Sequence, residues 1–283
     1  MNQTDLTWER IRIWLLWIAL PLVMGLIAAS AIPQPVIGII QLNDAIHPLT
    51  AREMITQINY AIDNPEIRAV VLAFDSPGGT VVDTEAVYME LSRLRAKKPV
   101  VTVVNGMSAS GAYYLSVNTD YIYAKPSSLV GNIGVIGYLP STPVIFEDII
   151  STGPYKLWGS PRDAEMRQIE MIKEGFLQAV LLGRGKRLNI GKEVILSGKI
   201  WAGTEAVRLG IADELGTEND AIKKAAKLAR VANYRSVDLY HLAGLQSSTA
   251  APFFIQSPEG ITLPYPTKPG MYLLFIPQLP VKQ

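Results

Sequence analysis

The chain of 283 residues contains no cysteine, which excludes disulfide bonds, thiol catalysis and thiolate metal sites. The absence fits either redox environment. The sequence also lacks an excess of positive charge, because 26 basic residues face 25 acidic ones and the formal net charge is +1. No run of like charges is longer than a few residues. Since a nucleic-acid binder needs a basic surface, the sequence predicts no nucleic-acid partner.

Histidine, the usual general base of enzymes, occurs at only two positions, His47 and His241. His47 follows the first predicted strand, and His241 lies in a weakly patterned C-terminal stretch. Neither is well placed for a Ser-His-Asp triad, although spacing alone excludes neither. Lysine is the alternative base for a serine nucleophile, provided that burial lowers its pKa.

One long uncharged stretch occupies residues 13–32 and reads IWLLWIALPLVMGLIAASAI. A helix of this length spans about 30 Å, the thickness of a bilayer core. Arg10 and Arg12 precede it, which favours a cytoplasmic N-terminus. The sequence therefore predicts a short cytoplasmic tail at residues 1–12, a single-pass anchor in the cell membrane, and an extracytoplasmic remainder. A cleaved signal peptide is the alternative, with ASA at residues 29–31 as its cleavage site.

Apolar strands alternate with helices over residues 33–231. VIGIIQL, RAVVLAF and PVVTVV read as buried strands, and this alternation is typical of a parallel sheet with helices on its faces. Thr50 and Glu53 have the spacing of a capping box, which predicts Thr50 as a helix N-cap. Residues 232–283 are predicted as a C-terminal extension of undefined role, in which MYLLFIP reads as a closing strand. The fold class is α/β.

Two small-residue turns end successive strands, DSPGGT at residues 75–80 and NGMSASG at residues 105–111. Ligands bind at the carboxyl ends of strands in an open parallel sheet. Glycine lets a backbone approach a ligand closely, so the amides of Gly78, Gly79 and Gly111 are candidate oxyanion donors. The alternative is that these turns only pack tightly and cap helices. Neither turn has the pattern of a phosphate-binding loop.

Ser110 is the favoured nucleophile of the second turn because it directly precedes Gly111 at the start of a helix. Ser108 is expected to be buried in the turn or to cap. Lys156 is the candidate base, since Tyr155, Leu157 and Trp158 surround it in sequence and no acidic residue is near. The alternative for Lys156 is a surface lysine whose stem lies over aromatic rings.

Five segments occur in an order that resembles the S49, or signal peptide peptidase A, family of serine peptidases in the ClpP/crotonase superfamily. They read DSPGGTVVDTEAVYMEL, NGMSASGAYYLS, DYIYAKPSSLVGNIGVIG, PYKLWGSPR and AGTEAVRLGIADELG, within residues 36–230. The resemblance implies a ClpP/crotonase-like spiral of parallel sheet with flanking helices, following one N-terminal transmembrane helix. It implies a catalytic Ser-Lys dyad that matches Ser110 and Lys156, with oxyanion donors at Gly111 and the Gly78–Gly79 pair.

The sequence departs from the family pattern at two positions. GNIGV places Asn132 where the family has a serine that orients the lysine, and Ala112 follows Gly111 where the family has a second glycine. An asparagine oxygen accepts a hydrogen bond from an ammonium group, so Asn132 is the candidate lysine-orienting residue. The resemblance also implies a homo-oligomeric ring, and it implies no metal and no cofactor.

The residues and this resemblance together predict a membrane-anchored serine endopeptidase, and the resemblance implies that it degrades signal peptides or other apolar peptides near the membrane. Two alternatives stay open. One is a catalytically inactive membrane scaffold of the same fold, which Asn132 favours. The other is a crotonase-type acyl-CoA enzyme, against which an extracytoplasmic domain argues because acyl-CoA is cytoplasmic.

Overall fold

The computed structural model describes residues 3–30, 34–138, 152, 162–246, 255–256, 262–263 and 270–275. The chain divides into two compact units, Met1–Pro35 and Val36–Gln283. The first unit contains a single helix and the second contains the sheets.

The helix of the first unit, α1, runs from Gln3 to Ser30 and contains Pro21. Its side chains from residue 12 to residue 26 are all exposed. Across the described ranges, no helix combines the length and the apolar character needed to cross a membrane. The anchor at residues 13–32 therefore stays a prediction.

The second unit is an α/β fold with a mixed sheet and flanking helices. Its longer strands are β1 (Val36–Leu42), β2 (Ile67–Ser76), β4 (Val100–Ala109), β5 (Tyr121–Ala124), β10 (Arg235–Asp238) and β13 (Gly270–Leu274). Its shorter strands are β3 (Gly78–Thr80), β6 (Leu129–Gly131), β7 (Ile136–Tyr138), β8 (Ile200–Ala202), β9 (Glu214–Leu215), β11 (Ile255–Gln256) and β12 (Thr262–Leu263). Its helices include α2 (Pro48–Asp63), α3 (Val81–Arg95), α4 (Gly111–Ser116), α5 (Arg162–Arg184), α6 (Lys192–Ile195), α7 (Gly203–Arg208), α8 (Glu218–Leu228) and α9 (Leu239–Leu242).

The main sheet has the strand order β10-β1-β2-β4-β5-β9, and every pair along this path is parallel. β6 pairs parallel with the end of β4, and β8 pairs antiparallel with β6. The parallel core confirms the α/β prediction, while the β6–β8 pair makes the sheet mixed. β10 lies within residues 232–283, the extension for which the sequence predicted no defined role, and it forms one edge of this sheet.

Both faces of the main sheet are covered, which explains why its central strands are apolar in continuous runs. On one face, Met54 and Ile58 of α2 and Leu91 of α3 pack against the sheet. On the other face, Ala221 and Ala225 of α8 pack against it.

Helix α2 begins earlier than the sequence predicts. The N-cap is His47, and Pro48 occupies the first helical position, where its fixed φ and missing N–H suit the backbone. Thr50 is the third helical residue and its hydroxyl accepts the His47 N–H at 3.0 Å. The prediction of Thr50 as N-cap is therefore wrong, and Glu53 accepts a hydrogen bond from the Tyr240 hydroxyl at 3.1 Å instead.

A buried ion pair joins the end of α5 to the segment before β9. The Arg184 guanidinium donates to both carboxylate oxygens of Asp213, at 2.8 and 3.0 Å, and also to the Gly210 carbonyl oxygen. The side chains of Arg184 and Asp213 are 1% and 6% exposed. Asp213 also accepts the Ile122 N–H, so the pair links helix α5 to strand β5.

Arg184→Met is expected to lower the free energy of unfolding by about 3–5 kcal/mol, because it removes the bidentate partner of the buried Asp213 carboxylate and leaves only a longer contact to a half-exposed arginine. Arg187→Met is the matched control. Arg187 lies 3.4 Å from the same carboxylate but is half exposed, so its loss should cost at most about 1 kcal/mol. Urea denaturation of the two variants measures the difference. Equal losses of unfolding free energy in the two variants would contradict a dominant role for the Arg184–Asp213 pair.

Candidate active site

The two small-residue turns lie side by side because β2 and β4 are parallel neighbours in the main sheet. Phe74 pairs with Val104, and after a register shift Ser76 pairs with Ser108. The carboxyl ends of parallel strands meet at one edge of the sheet, where ligands bind in such folds. The structure therefore brings Gly78, Gly79 and Ser110 to the same edge.

Ser110 joins β4 to α4 in a backbone conformation that is unusual for a residue with a side chain. Its φ is 52° and its ψ is −116°, a strain of about 1–3 kcal/mol that proteins retain mainly at functional sites. Its N–H donates to the Gly131 carbonyl oxygen at 2.8 Å and its carbonyl oxygen accepts the Tyr114 N–H at 2.9 Å. A serine on a sharp strand-to-helix turn is the geometry of a nucleophile elbow.

Ser108 differs from Ser110 in both position and partners. It lies within β4, is fully buried, and its hydroxyl lies 2.8 Å from the Ser116 hydroxyl. Ser116 in turn donates to the Ala112 carbonyl oxygen at 3.0 Å. The two serines of the turn are thus distinguished, since Ser108 is satisfied inside the core and Ser110 occupies the elbow.

The two glycines of the first turn also differ, which the sequence did not reveal. Gly78, at φ 93°, donates its N–H to the Ser76 hydroxyl at 3.3 Å, and its carbonyl oxygen accepts the Ile46 N–H at 2.8 Å. A methyl group added to Gly111 would lie 3.3 Å from the Gly79 nitrogen. The amide of Gly79 therefore adjoins Gly111, while the amide of Gly78 already has a partner.

Asn132 lies next to the residue that holds Ser110. It follows Gly131, has φ 54°, and its N–H donates to the Lys199 carbonyl oxygen at 2.7 Å. Its side-chain nitrogen donates to the Gly198 carbonyl oxygen at 2.8 Å. Because the amide nitrogen is bound, the side-chain oxygen is the atom that remains as an acceptor.

Three side chains are candidates for the general base: Lys156, His47 and His241. Lys156 lies outside the described residues. His47 caps α2, with its Nε2 atom 3.9 Å from Asp44, and the His241 ring packs edge-on against the Tyr240 ring on α9. Within the described ranges, no group of three or more histidine, aspartate or glutamate side chains is arranged to hold a metal ion.

The sequence missed two residues that support the elbow and the first turn. The Ser76 hydroxyl fixes the Gly78 amide, and the Gly131 carbonyl oxygen fixes the Ser110 amide. Ser76 lies in the turn DSPGGT, directly before Pro77. The sequence therefore shows the residue but not its hydrogen bond with the Gly78 amide. The Gly131 contact depends on the pairing of β6 with β4, which the spacing of residues does not reveal.

Family models match two overlapping parts of the chain. The model of Peptidase family S49 matches residues 92–232, and the model of Clp protease matches residues 36–128. Together they cover the main sheet up to α8 and include both small-residue turns.

Three relatives illustrate the similarity. A protein of Methanocaldococcus jannaschii named as a protease is 35% identical over 212 residues, which cover 69% of this chain and 68% of the relative. Protease 4 of Salmonella typhi is 35% identical over 199 residues, 65% of this chain and 32% of the relative. A protein of Enterococcus faecium named as a signal peptide peptidase is 27% identical over 206 residues, 65% of this chain and 59% of the relative. The chain thus spans about a third of the length of Protease 4.

Proposed function

Because the chain belongs to peptidase family S49, a family of serine-type peptidases, we propose that it hydrolyses peptide bonds with a Ser110–Lys156 dyad. The observation that carries this function is the elbow conformation of Ser110 beside the adjoining backbone of Gly79 and Gly111. A hydroxyl held on such a turn points towards the carbonyl carbon of a bound peptide, and two amides nearby stabilise the negative oxygen that forms.

In the first half-reaction, neutral Lys156 takes the proton of the Ser110 hydroxyl while the Oγ atom bonds to the substrate carbonyl carbon. The carbonyl electron pair moves onto oxygen, which accepts hydrogen bonds from the Gly79 and Gly111 amides. The C–N bond then breaks, and protonated Lys156 gives its proton to the departing amine. The acyl group remains on Ser110.

In the second half-reaction, Lys156 takes a proton from water as the water oxygen attacks the acyl carbon. The Ser110–acyl bond breaks, Ser110 regains its proton from Lys156, and a carboxylic acid leaves. No step calls on a metal or a cofactor. Asn132 would act as a positioning residue, with its side-chain oxygen accepting a hydrogen bond from the Lys156 amine.

We also propose that the peptidase acts at the cell membrane on signal peptides or other apolar peptides. The relative in Enterococcus faecium that is named as a signal peptide peptidase supports this substrate class. The uncharged sequence at residues 13–32 and the exposed apolar side chains of α1 support a single-pass anchor. Arg10 and Arg12 before it support a cytoplasmic N-terminus and an extracytoplasmic peptidase. A homo-oligomeric ring belongs to the same proposal and rests on the family resemblance alone.

Labelling with a fluorophosphonate tests the chemistry and the location together. We expect the probe to modify the native chain at Ser110, identified by mass spectrometry of the digested protein, and to leave the heat-denatured chain unmodified. In cell fractions, the labelled chain should stay with membranes after a carbonate wash. An adduct at another residue would contradict the assigned nucleophile, complete failure to react would favour the inactive scaffold, and release by carbonate would contradict the anchor.

A further inference from the structure

The C-terminal strand β13 fills the space between two short strands beside the candidate active site. Tyr272, Leu273 and Leu274 pair antiparallel with the three residues of β3. On its other edge, β13 pairs antiparallel with β7, where Tyr272 faces Ile136. The Phe275 N–H donates to the Pro77 carbonyl oxygen at 2.8 Å and extends the ladder by one residue. The chain thus lays an extended peptide of its own across the first small-residue turn.

The carbonyl oxygen of Leu273 faces the backbone to which the oxyanion role was assigned. The register pairs Leu273 with Gly79. A methyl group added to Gly78 would lie 2.0 Å from the Leu273 oxygen and 2.6 Å from the Gly111 nitrogen. A methyl group added to Gly111 would lie 3.1 Å from the same oxygen and 3.3 Å from the Gly79 nitrogen. A backbone carbonyl therefore already lies where the carbonyl of a substrate would have to be placed.

Leu273 lines a cavity whose other walls are mostly apolar. It is 1% exposed and lines a space of about 230 Å³ together with Tyr114 of α4 and with Ile172 and Phe176 of α5. The rings of Tyr114 and Phe176 meet edge to face at 5.1 Å. Burial raises the pKa of Tyr114 to about 12, so its hydroxyl stays neutral and adds no charge to the cavity. The cavity is suited to a leucine or larger apolar side chain.

The rim of this cavity carries an exposed apolar side chain and a carboxylate. Met171 lines it and is 70% exposed, and Glu85 of α3 lines it too. Val82 and Met89 lie three and four residues from Glu85, on the same face of α3, and both are exposed. Exposed apolar side chains on the rim and on the neighbouring face of α3 favour an apolar ligand.

We propose that the groove between β3 and β7 is the peptide-binding site of this protein and that β13 is its internal occupant. A substrate would bind there as an extended antiparallel strand, with an apolar side chain in the place of Leu273 and the scissile carbonyl in the place of the Leu273 carbonyl. The groove is assigned on the basis of the proposed function, since Ser110 defines where the bond is cut.

The burial of Ser110 requires that β13 leave before a substrate reacts. Ser110 is 1% exposed in this arrangement, and the Leu273 oxygen occupies the position opposite Gly111. β13 is held by two strands of only three residues each, β3 and β7. A substrate strand offers the same main-chain hydrogen bonds, so exchange of one strand for the other replaces bonds rather than losing them.

A chain that ends at residue 269 tests the groove by removing its occupant. With a fluorogenic peptide that has leucine before the scissile bond, we expect kcat/KM to rise about tenfold, mainly through a lower KM, because the full chain exposes the groove only part of the time. The synthetic peptide PGMYLLFIP, residues 269–277 of this sequence, should inhibit the shortened chain competitively. A substrate with aspartate in the leucine position should be cleaved more slowly.

Leu273→Ala in the full-length chain keeps the test valid if the shortened chain does not fold. It removes apolar contacts of β13 and should raise kcat/KM in the same direction, whereas Leu242→Ala on α9 is the matched control with an exposed leucine. If Ser110 still reacts with a fluorophosphonate but neither change raises kcat/KM, the internal occupant is refuted while the peptidase stands.

If neither hydrolysis nor labelling occurs, the proposed function has failed. Peptide binding then tests whether the groove between β3 and β7 is a peptide-binding site. Fluorescein-labelled PGMYLLFIP is then titrated into the shortened chain and into Leu273→Ala, with fluorescence anisotropy as the readout. Saturable binding to either protein, displaced by the unlabelled peptide, would support the groove. Absence of binding to both would overturn it.

Discussion

Ser110→Ala is expected to reduce kcat for peptide hydrolysis by up to about 10⁶-fold, the loss that accompanies removal of a serine nucleophile. The elbow places this hydroxyl, and no other in the second turn, beside the Gly111 amide. The variant should fold as the parent does, since its alanine keeps the same Cβ at φ 52°. Initial rates with a fluorogenic apolar peptide measure the loss, and circular dichroism checks the fold.

Ser108→Ala is the matched control from the same turn. Its hydroxyl is buried and lies 2.8 Å from that of Ser116, so its removal should cost about 1 kcal/mol of stability. Ser116 keeps its bond to the Ala112 carbonyl oxygen, and hydrolysis should stay within tenfold of the parent. Loss of activity in Ser108→Ala together with retention in Ser110→Ala would reverse the assignment.

Lys156→Met is expected to reduce kcat/KM by about 10²–10⁴-fold, because methionine fills a similar volume but accepts no proton. In the parent, only the neutral amine is active, so kcat/KM should rise with pH as the ammonium form loses its proton. The variant should lose this titration while it still folds. A pH–rate profile over the neutral and alkaline range separates loss of the base from a general loss of structure.

Two further variants make the lysine test specific. Lys192→Met, at the exposed first residue of α6, should leave both the rate and the profile unchanged. Asn132→Ala removes an oxygen that would accept from the ammonium form and so favour it. The apparent pKa of the rate profile should therefore fall, and kcat should fall with it because the amine is less well placed. An unchanged profile in Asn132→Ala would refute the positioning role.

Sequence periodicity predicted the parallel core because continuous apolar runs are characteristic of strands covered on both faces. It placed Ser110 at a strand-to-helix turn because glycine and serine punctuate such turns. It could not show that the Gly78 amide is bound to the Ser76 hydroxyl, since that hydrogen bond forms only within the folded turn. It also predicted MYLLFIP as a strand without a partner, because the pairing of β13 with β3 joins residues almost 200 positions apart.

The start of α2 shows a local limit of the same kind. Thr50 and Glu53 fit the capping pattern, but the fixed φ of Pro48 favours a helix that begins before Thr50, and Thr50 then serves inside the first turn. Glu53 is used by Tyr240, which lies far along the chain. The local pattern thus predicted the helix correctly, but the hydrogen-bond partner of Glu53 depends on a contact with a residue distant in sequence.

The placement of β13 within the same chain has a consequence for how activity depends on concentration. A tethered segment competes at a fixed effective concentration, about millimolar for short tethers, however dilute the protein is. Dilution would therefore not activate this protein. Peptides present at low concentration would seldom displace β13 from the groove. Cleavage would be reserved for peptides that accumulate locally, as apolar peptides do when a membrane confines them.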